Sequence, residues 1–129
     1  MATLNFGLLC EFSIISTDGT PSFISVFSQI IGEKIPFVRP EIHIVTNYFL
    51  EESEVDKTSE LEIIIISPSG KKISSMKSKI LKKENSKGNQ SGFISVMRGI
   101  KFEEWGTHNF EVFLNGNMIG KLPLLISEK

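Results

Sequence analysis

The residues that could carry covalent chemistry are one cysteine, Cys10, and two histidines, His43 and His108. A thiolate beside an imidazole would supply a nucleophile and its base. Cys10, however, follows Leu8 and Leu9 in an apolar run, where a cysteine is usually a small buried hydrophobe. The serines also lack the Gly-x-Ser-x-Gly pattern of a hydrolase nucleophile. We therefore predict no catalytic residue and expect that the chain is not an enzyme.

Metal and cofactor sites are not indicated either. One cysteine and two histidines do not supply the paired spacing of a zinc site. Calcium loops concentrate acidic residues, whereas the only aspartates, Asp18 and Asp56, fall on different predicted loops. The sequence therefore predicts no bound metal and no cofactor.

Size and charge favour one ordinary soluble domain over residues 1–129, with 40% apolar residues and a net charge of −1. A net charge near zero gives no overall attraction to nucleic acid or to a membrane surface. The start of the chain lacks a basic signal-peptide region, and the longest strictly apolar run is only Ile63 to Ile66. Since a lone cysteine also requires no oxidising compartment, we expect a cytoplasmic protein without a membrane span.

Hydrophobic alternation and turn residues predict β-structure along the whole chain. The predicted strands are 3–16, 22–31, 41–51, 61–66, 71–83, 92–102, 108–114 and 118–127. Tight turns are predicted at Asp18-Gly19, at Pro68-Ser69-Gly70 and at Asn115-Gly116. Gly32 to Pro40 is predicted as a connection, because prolines cannot donate to a sheet ladder. The fold class that follows is an all-β, single-domain antiparallel β-sandwich of roughly seven or eight strands with an immunoglobulin-like layout, its strand order left open.

Three strands carry special signals. Residues 22–31 are apolar on both alternating parities, which indicates a strand covered on both faces or one leaning on a loop. The isoleucines Ile63 to Ile66 give the strongest β signal, and we expect Ile64→Asp to unfold the domain. Segment 71–83 fits a helix as well as a strand, and the Pro-Ser-Gly turn before it favours a strand in a hairpin.

Charge changes sign across that predicted hairpin. The acidic residues are Glu51, Glu52, Glu54, Asp56, Glu60 and Glu62, and the lysines are Lys71, Lys72, Lys77, Lys79, Lys82, Lys83 and Lys87. Cross-strand pairing and protection of an edge strand explain this pattern. The functional alternative is a basic strip that binds an acidic partner. Nucleic acid is the least favoured partner, because the strip lacks interleaved aromatic residues.

Both ends of the chain contain a recognisable set of turn and core residues. They are Leu9 to Ser13, Asp18-Gly19, Phe23 to Ile30, Ile35 to Pro40, Phe102, Gly106, His108, Phe110, Val112, Asn115-Gly116 and Pro123-Leu124. In these residues the chain resembles a widespread bacterial family of small stand-alone β-sandwich proteins, known only as a domain of unknown function. The resemblance implies a β-sandwich without an established active site. His108 replaces that family's tyrosine, at a position where sandwich folds often use a corner tyrosine.

The sequence does not identify a specific function. We expect a non-enzymatic accessory or protein-interaction module that binds a protein partner. The alternative is a ligand-binding sandwich for carbohydrate or lipid. Sugar platforms need exposed rings, and we expect the single tryptophan, Trp105, to pack at the corner before Gly106 instead. The partner and the oligomeric state are left open.

Overall fold

The computed structural model describes residues 2–50, 58–80 and 90–129, and all its regular elements there are β-strands. The strands are β1 (Thr3–Ile15), β2 (Pro21–Phe27), β3 (Gln29–Gly32), β4 (Phe37–Phe49), β5 (Ser59–Ile66), β6 (Lys72–Ile80), β7 (Gln90–Phe102), β8 (Gly106–Leu114) and β9 (Asn117–Glu128).

These strands form two sheets. The first sheet has the order β2-β1-β4-β7 and the second has the order β3-β9-β8-β5-β6. The β3–β9 pair is parallel, and the other described pairs are antiparallel. The β4–β7 pair and the run β9-β8-β5-β6 reproduce the B–E pair and the G-F-C-C′ run of an immunoglobulin sandwich. The predicted all-β sandwich with an immunoglobulin-like layout is confirmed.

The segment predicted as one strand over 22–31 is two strands in the structure. The chain leaves the first sheet at Ser28, whose carbonyl accepts a hydrogen bond from the Leu125 amide at 2.9 Å, and enters the second sheet as β3. The described ranges therefore hold nine strands, one more than the sequence indicates. This segment is apolar at both alternating positions for two reasons. Its second part, β3, belongs to the other sheet, and β2 carries apolar side chains on both of its faces, as described below.

The predicted connection over 32–40 ends earlier than expected, because β4 already begins at Phe37 and contains Pro40. Its register with β7 passes from Arg39–Ile100 to Glu41–Arg98. Pro40 is thus left outside the ladder, opposite Gly99, which has a φ of 62°. A local irregularity of this kind accommodates a proline that cannot donate a hydrogen bond.

The predicted hairpins form as expected. Strand β6 pairs with β5 after a turn in which Gly70 has a φ of 89°, so segment 72–80 is a strand rather than a helix. Asn115 and Gly116 have φ values of 51° and 83°, which the type I′ turn requires. The Asn115 amide donates to the Glu60 carbonyl, and the Asn115 Oδ1 accepts from the Glu60 amide, both at 2.9 Å.

The core lies between the two sheets. Its fully buried side chains include Ile42, Ile44 and Tyr48 from the first sheet and Ile63, Ile65, Phe110, Val112 and Leu124 from the second. The core prediction for Ile64 is wrong, because side chains alternate along a strand. Ile63 and Ile65 point into the core, and Ile64 is half-buried on the opposite face of β5.

Candidate functional site

The outer face of the first sheet, turned away from the core, is lined by apolar side chains. Residues directly opposite each other on paired strands share a face. Cys10 lies opposite both Val26 and His43, and His43 lies opposite Val96. These four residues therefore form one row across all four strands. The adjoining row consists of Leu8, Val45 and Ile94.

We call this surface the apolar face and define it as Phe6, Leu8, Phe12, Ile14, Ile24, Val26, Val45, Ile94 and Val96. Several of its side chains are open to solvent, with Val26 58% exposed, Phe12 49% exposed and Ile24 47% exposed. An antiparallel sheet with one wet face normally alternates apolar and polar residues. A contiguous apolar patch on such a face is the usual mark of a contact site.

A polar network is embedded beside the apolar face. The Ser13 Oγ and the His43 Nδ1 are 2.7 Å apart, and the His43 Nε2 lies 2.5 Å from the Glu41 Oε1. The imidazole is only 5% exposed, and its ring centroid is 5.6 Å from that of Phe12. The network gives both ring nitrogens of a buried histidine a partner. It also has the composition of a nucleophile, a base and an orienting acid, which sequence spacing did not reveal.

Cys10 is fully buried, as predicted. Burial raises the pKa of its thiol, and a hydrogen bond with the Phe12 backbone offsets part of this rise. Although Cys10 lies opposite His43, a raised pKa disfavours the thiolate that nucleophilic attack requires. The side chain therefore acts as a small filler beneath the apolar face.

The predicted lysine strip is only partly within the described residues. Lys72, Lys77 and Lys79 lie exposed on β6 at the edge of the second sheet, and Lys71 is exposed in the preceding turn. Lys82, Lys83 and Lys87 lie outside the described ranges, as do Glu51, Glu52, Glu54 and Asp56.

Lys77 takes part in cross-strand pairing. Its Nζ is 3.9 Å from both Glu60 Oε1 and Glu62 Oε2, and Lys79 lies opposite Glu60 in the register. This geometry fits the explanation by cross-strand pairing on an edge strand. A partner for the strip stays a prediction.

His108 occupies the corner at the start of β8. It is fully buried, and its Nδ1 lies 3.2 Å from the Gly106 carbonyl oxygen, to which it donates as the N–H tautomer. Its ring meets Phe102 edge-on at a centroid distance of 5.1 Å. Burial lowers the pKa of this imidazole below its ordinary value, which favours its neutral form in the fold. Its Nε2 has no hydrogen-bond partner among the described residues.

The aromatic residues do not form the exposed platform of a sugar-binding site. Tyr48 is fully buried, and Trp105 is half-buried against the core, as predicted for the corner. The exposed rings on the described surface are Phe6, Phe12 and Phe49, of which the first two belong to the apolar face. Among residues 2–50, 58–80 and 90–129, no cluster of three acidic, histidine or cysteine side chains could hold a metal ion. The same ranges contain no helix that could cross a membrane.

Comparison with known proteins gives a family and a likeness to solved structures. Residues 5–127 match the model of a family described as "Family of unknown function (DUF6941)". No curated protein matches the chain. An immunoglobulin-like protein from Pseudomonas aeruginosa is similar in structure, with 10% identity, a TM-score of 0.42, and coverage of 98% of this chain and 96% of that one.

Proposed function

We propose that this chain, which belongs to the family of unknown function, is a non-enzymatic protein-interaction module. In this proposal it binds its partner through the apolar face. The observation that carries the proposal is the exposure of Phe12, Ile24 and Val26 on a sheet face whose neighbouring rows are also apolar. Water-facing sheet surfaces carry polar residues in the alternate positions, whereas β1 presents Phe6, Leu8, Phe12 and Ile14 there and β2 presents Ile24 and Val26.

The size of the apolar face supports a protein partner. The apolar face runs for about 27 Å along β1, from Phe6 to Ile14, but it reaches all four strands only in the row that contains Val26 and Val96. At about 33 Å² of sheet surface for each residue on one face, the flat footprint of its nine residues is about 300 Å², at the lower end of the range of functional apolar patches on monomer surfaces. Such a surface is more extended than the concave pockets that enclose small ligands.

Photo-crosslinking in the native cell tests the proposal. A photoreactive amino acid is placed at Val26 or at Ile24 in one set of variants and at Ile31 or Leu125 in a matched set. Ile31 and Leu125 are 61% and 40% exposed but belong to the second sheet. We expect discrete protein adducts from the first set alone. Equal adducts from both sets, or none from the first set, would refute the apolar face as the binding surface.

A second candidate function, ester hydrolysis, is favoured by the Ser13–His43–Glu41 network. In that function His43 would take the Ser13 hydroxyl proton while the Ser13 oxygen attacks the ester carbonyl, and the alcohol would leave with the proton that His43 returns. Water that gives a proton to His43 would then hydrolyse the acyl-serine, releasing the acid and restoring the Ser13 hydroxyl. A fluorophosphonate probe tests this directly, because it labels only an activated serine. Labelling of Ser13 that is lost in Ser13→Ala and reduced in Glu41→Gln would support the hydrolase, and an unlabelled wild-type protein would exclude it.

A further inference from the structure

We propose that the occupant of the apolar face is a second copy of this chain, so that two molecules pack first sheet against first sheet. The inference rests on the proposed function and names its partner. It is supported by the balance of charge on this surface and by its area. The two-fold symmetry of such a dimer determines how a substitution tests it.

Charge on the apolar face is balanced within one copy. The charged side chains beside it on the same side of the sheet, Glu41 and Arg98, lie opposite each other, with the Arg98 Nε 3.9 Å from the Glu41 Oε2. Elsewhere on the first sheet the Arg39 guanidinium donates to Glu11 at 2.9 Å. A partner of strong single-sign charge would find no complementary field here, because charge complementarity is what selects such partners. An identical surface, apolar in the same rows and already neutral, meets no like-charge penalty.

The area of the apolar face is a substantial part of what a stable dimer requires. Standard interfaces bury about 800 Å² of accessible surface on each partner. The flat footprint of the nine residues of the apolar face is about 300 Å², and their side chains project from that plane, so their accessible area is larger than the footprint. Most of this area lies in the aromatic and branched side chains Phe6, Phe12, Ile14, Ile24 and Val26, each between 45% and 58% exposed.

A two-fold dimer uses the same patch on both copies. Each residue of the apolar face is then buried in both copies. One substitution to a charged residue therefore places two uncompensated charges in the interface. Val26 is suited to this test, because it is the most exposed of these side chains and lies on β2 at the edge of the sheet. Changing it does not disturb the core.

The experiment measures mass in solution by analytical ultracentrifugation of the purified full chain, from roughly 1 µM to roughly 100 µM, the range in which micromolar association is visible. We expect wild type to reach twice the chain mass of 14.4 kDa. Val26→Glu should stay monomeric, with association weakened by about 100-fold or more. The matched control Ile31→Glu, on a residue 61% exposed in the second sheet, should dimerise like wild type. Circular dichroism and thermal melting confirm that each variant is folded.

The outcomes separate this inference from the proposed function. A monomeric wild type at the highest concentration overturns the second copy as partner. If Val26 then crosslinks to another protein in the cell, the proposed function survives with a different occupant. A dimer that Val26→Glu leaves intact, or that Ile31→Glu dissolves equally well, also overturns the inference, because the interface would lie elsewhere. A folded monomer without crosslinks from Val26 refutes both proposals.

Discussion

The outer faces of the two sheets differ, although both belong to one sandwich with the same core between them. The second sheet presents charges of both signs in cross-strand neighbours: Glu60, Glu62 and Glu111 with Lys77, Lys79 and Lys121. The first sheet presents the apolar face, beside which lies the ion pair of Glu41 and Arg98. Charged residues keep a sheet surface in water and prevent unwanted strand pairing. The first sheet lacks this protection over most of its width, and this difference is the reason for proposing the apolar face as the contact surface.

The largest expected effect distinguishes the inner face of β5 from its outer face. Ile65→Asp places an unpaired carboxylate in the core and should destabilise the domain by several kcal/mol, enough to unfold it. Ile64→Asp, one residue away on the outer face, should cost about 1 kcal/mol or less and remain folded, since a half-exposed carboxylate keeps part of its hydration. Thermal melting of the two variants measures the difference. Similar melting temperatures would contradict the register of β5.

The Ile64 example shows how far the sequence predicts this fold. Turn residues such as Asn115-Gly116 and the alternation of apolar residues give the hairpins and the sandwich. The run Ile63 to Ile66 has no alternation, so only the register with β8 determines which members are core. The sequence indicated the apolar face only weakly, through segment 22–31, whose residues are apolar at both alternating positions.

The polar network could not be predicted at all. Ser13 and His43 are 30 residues apart in the chain, and the β1–β4 pairing alone brings them together. Hydrogen-bond partners in a sheet depend on strand order, which the sequence left open. The pairing of Lys77 and Lys79 with acidic residues, by contrast, could be predicted from the sequence, because these neighbours lie in the same hairpin.

A smaller effect is expected from the polar network of the first sheet. His43→Ala removes two hydrogen bonds and leaves Ser13 and Glu41 without their partner, which should reduce the free energy of unfolding by about 1–3 kcal/mol. Ser13→Ala removes only one of these bonds and should cost about 1 kcal/mol. Urea denaturation gives both values. A loss from Ser13→Ala as large as that from His43→Ala would show that the hydroxyl, rather than the imidazole, holds the network.

Protonation of His108, in the second sheet, should make the stability of the fold depend on pH. Burial lowers the pKa of His108 in the fold below its ordinary value of 6.5, so the unfolded chain binds this proton more readily. The stabilisation from keeping His108 neutral is complete above about pH 6.5 and is lost as the pH falls towards the lower folded pKa. His108→Gln should therefore lose less stability than wild type between pH 7 and pH 5.

Melting temperatures at constant ionic strength measure that difference. Histidine NMR shifts identify the group, because the His108 ring should remain neutral in the native protein at a pH where a free histidine is protonated. Equal pH dependence in wild type and His108→Gln would assign the effect to other groups.

The smallest effect concerns the lysines of β6. Reversing Lys77 and Lys79 to glutamate places like charges opposite Glu60 and Glu62, yet exposed pairs are worth only about 0.2–1 kcal/mol each, so the variant should remain folded. If these lysines protect the edge strand, the reversed charges still repel strand pairing, whereas Lys77→Val with Lys79→Val should raise light scattering on concentration. If they instead bind an acidic partner, the glutamate variant loses that partner and the valine variant stays soluble. Comparison of the two double variants thus distinguishes two roles for the charged outer face of the second sheet. The contrast with the apolar face implies that this charged face only prevents contacts, and the alternative is that it binds an acidic partner.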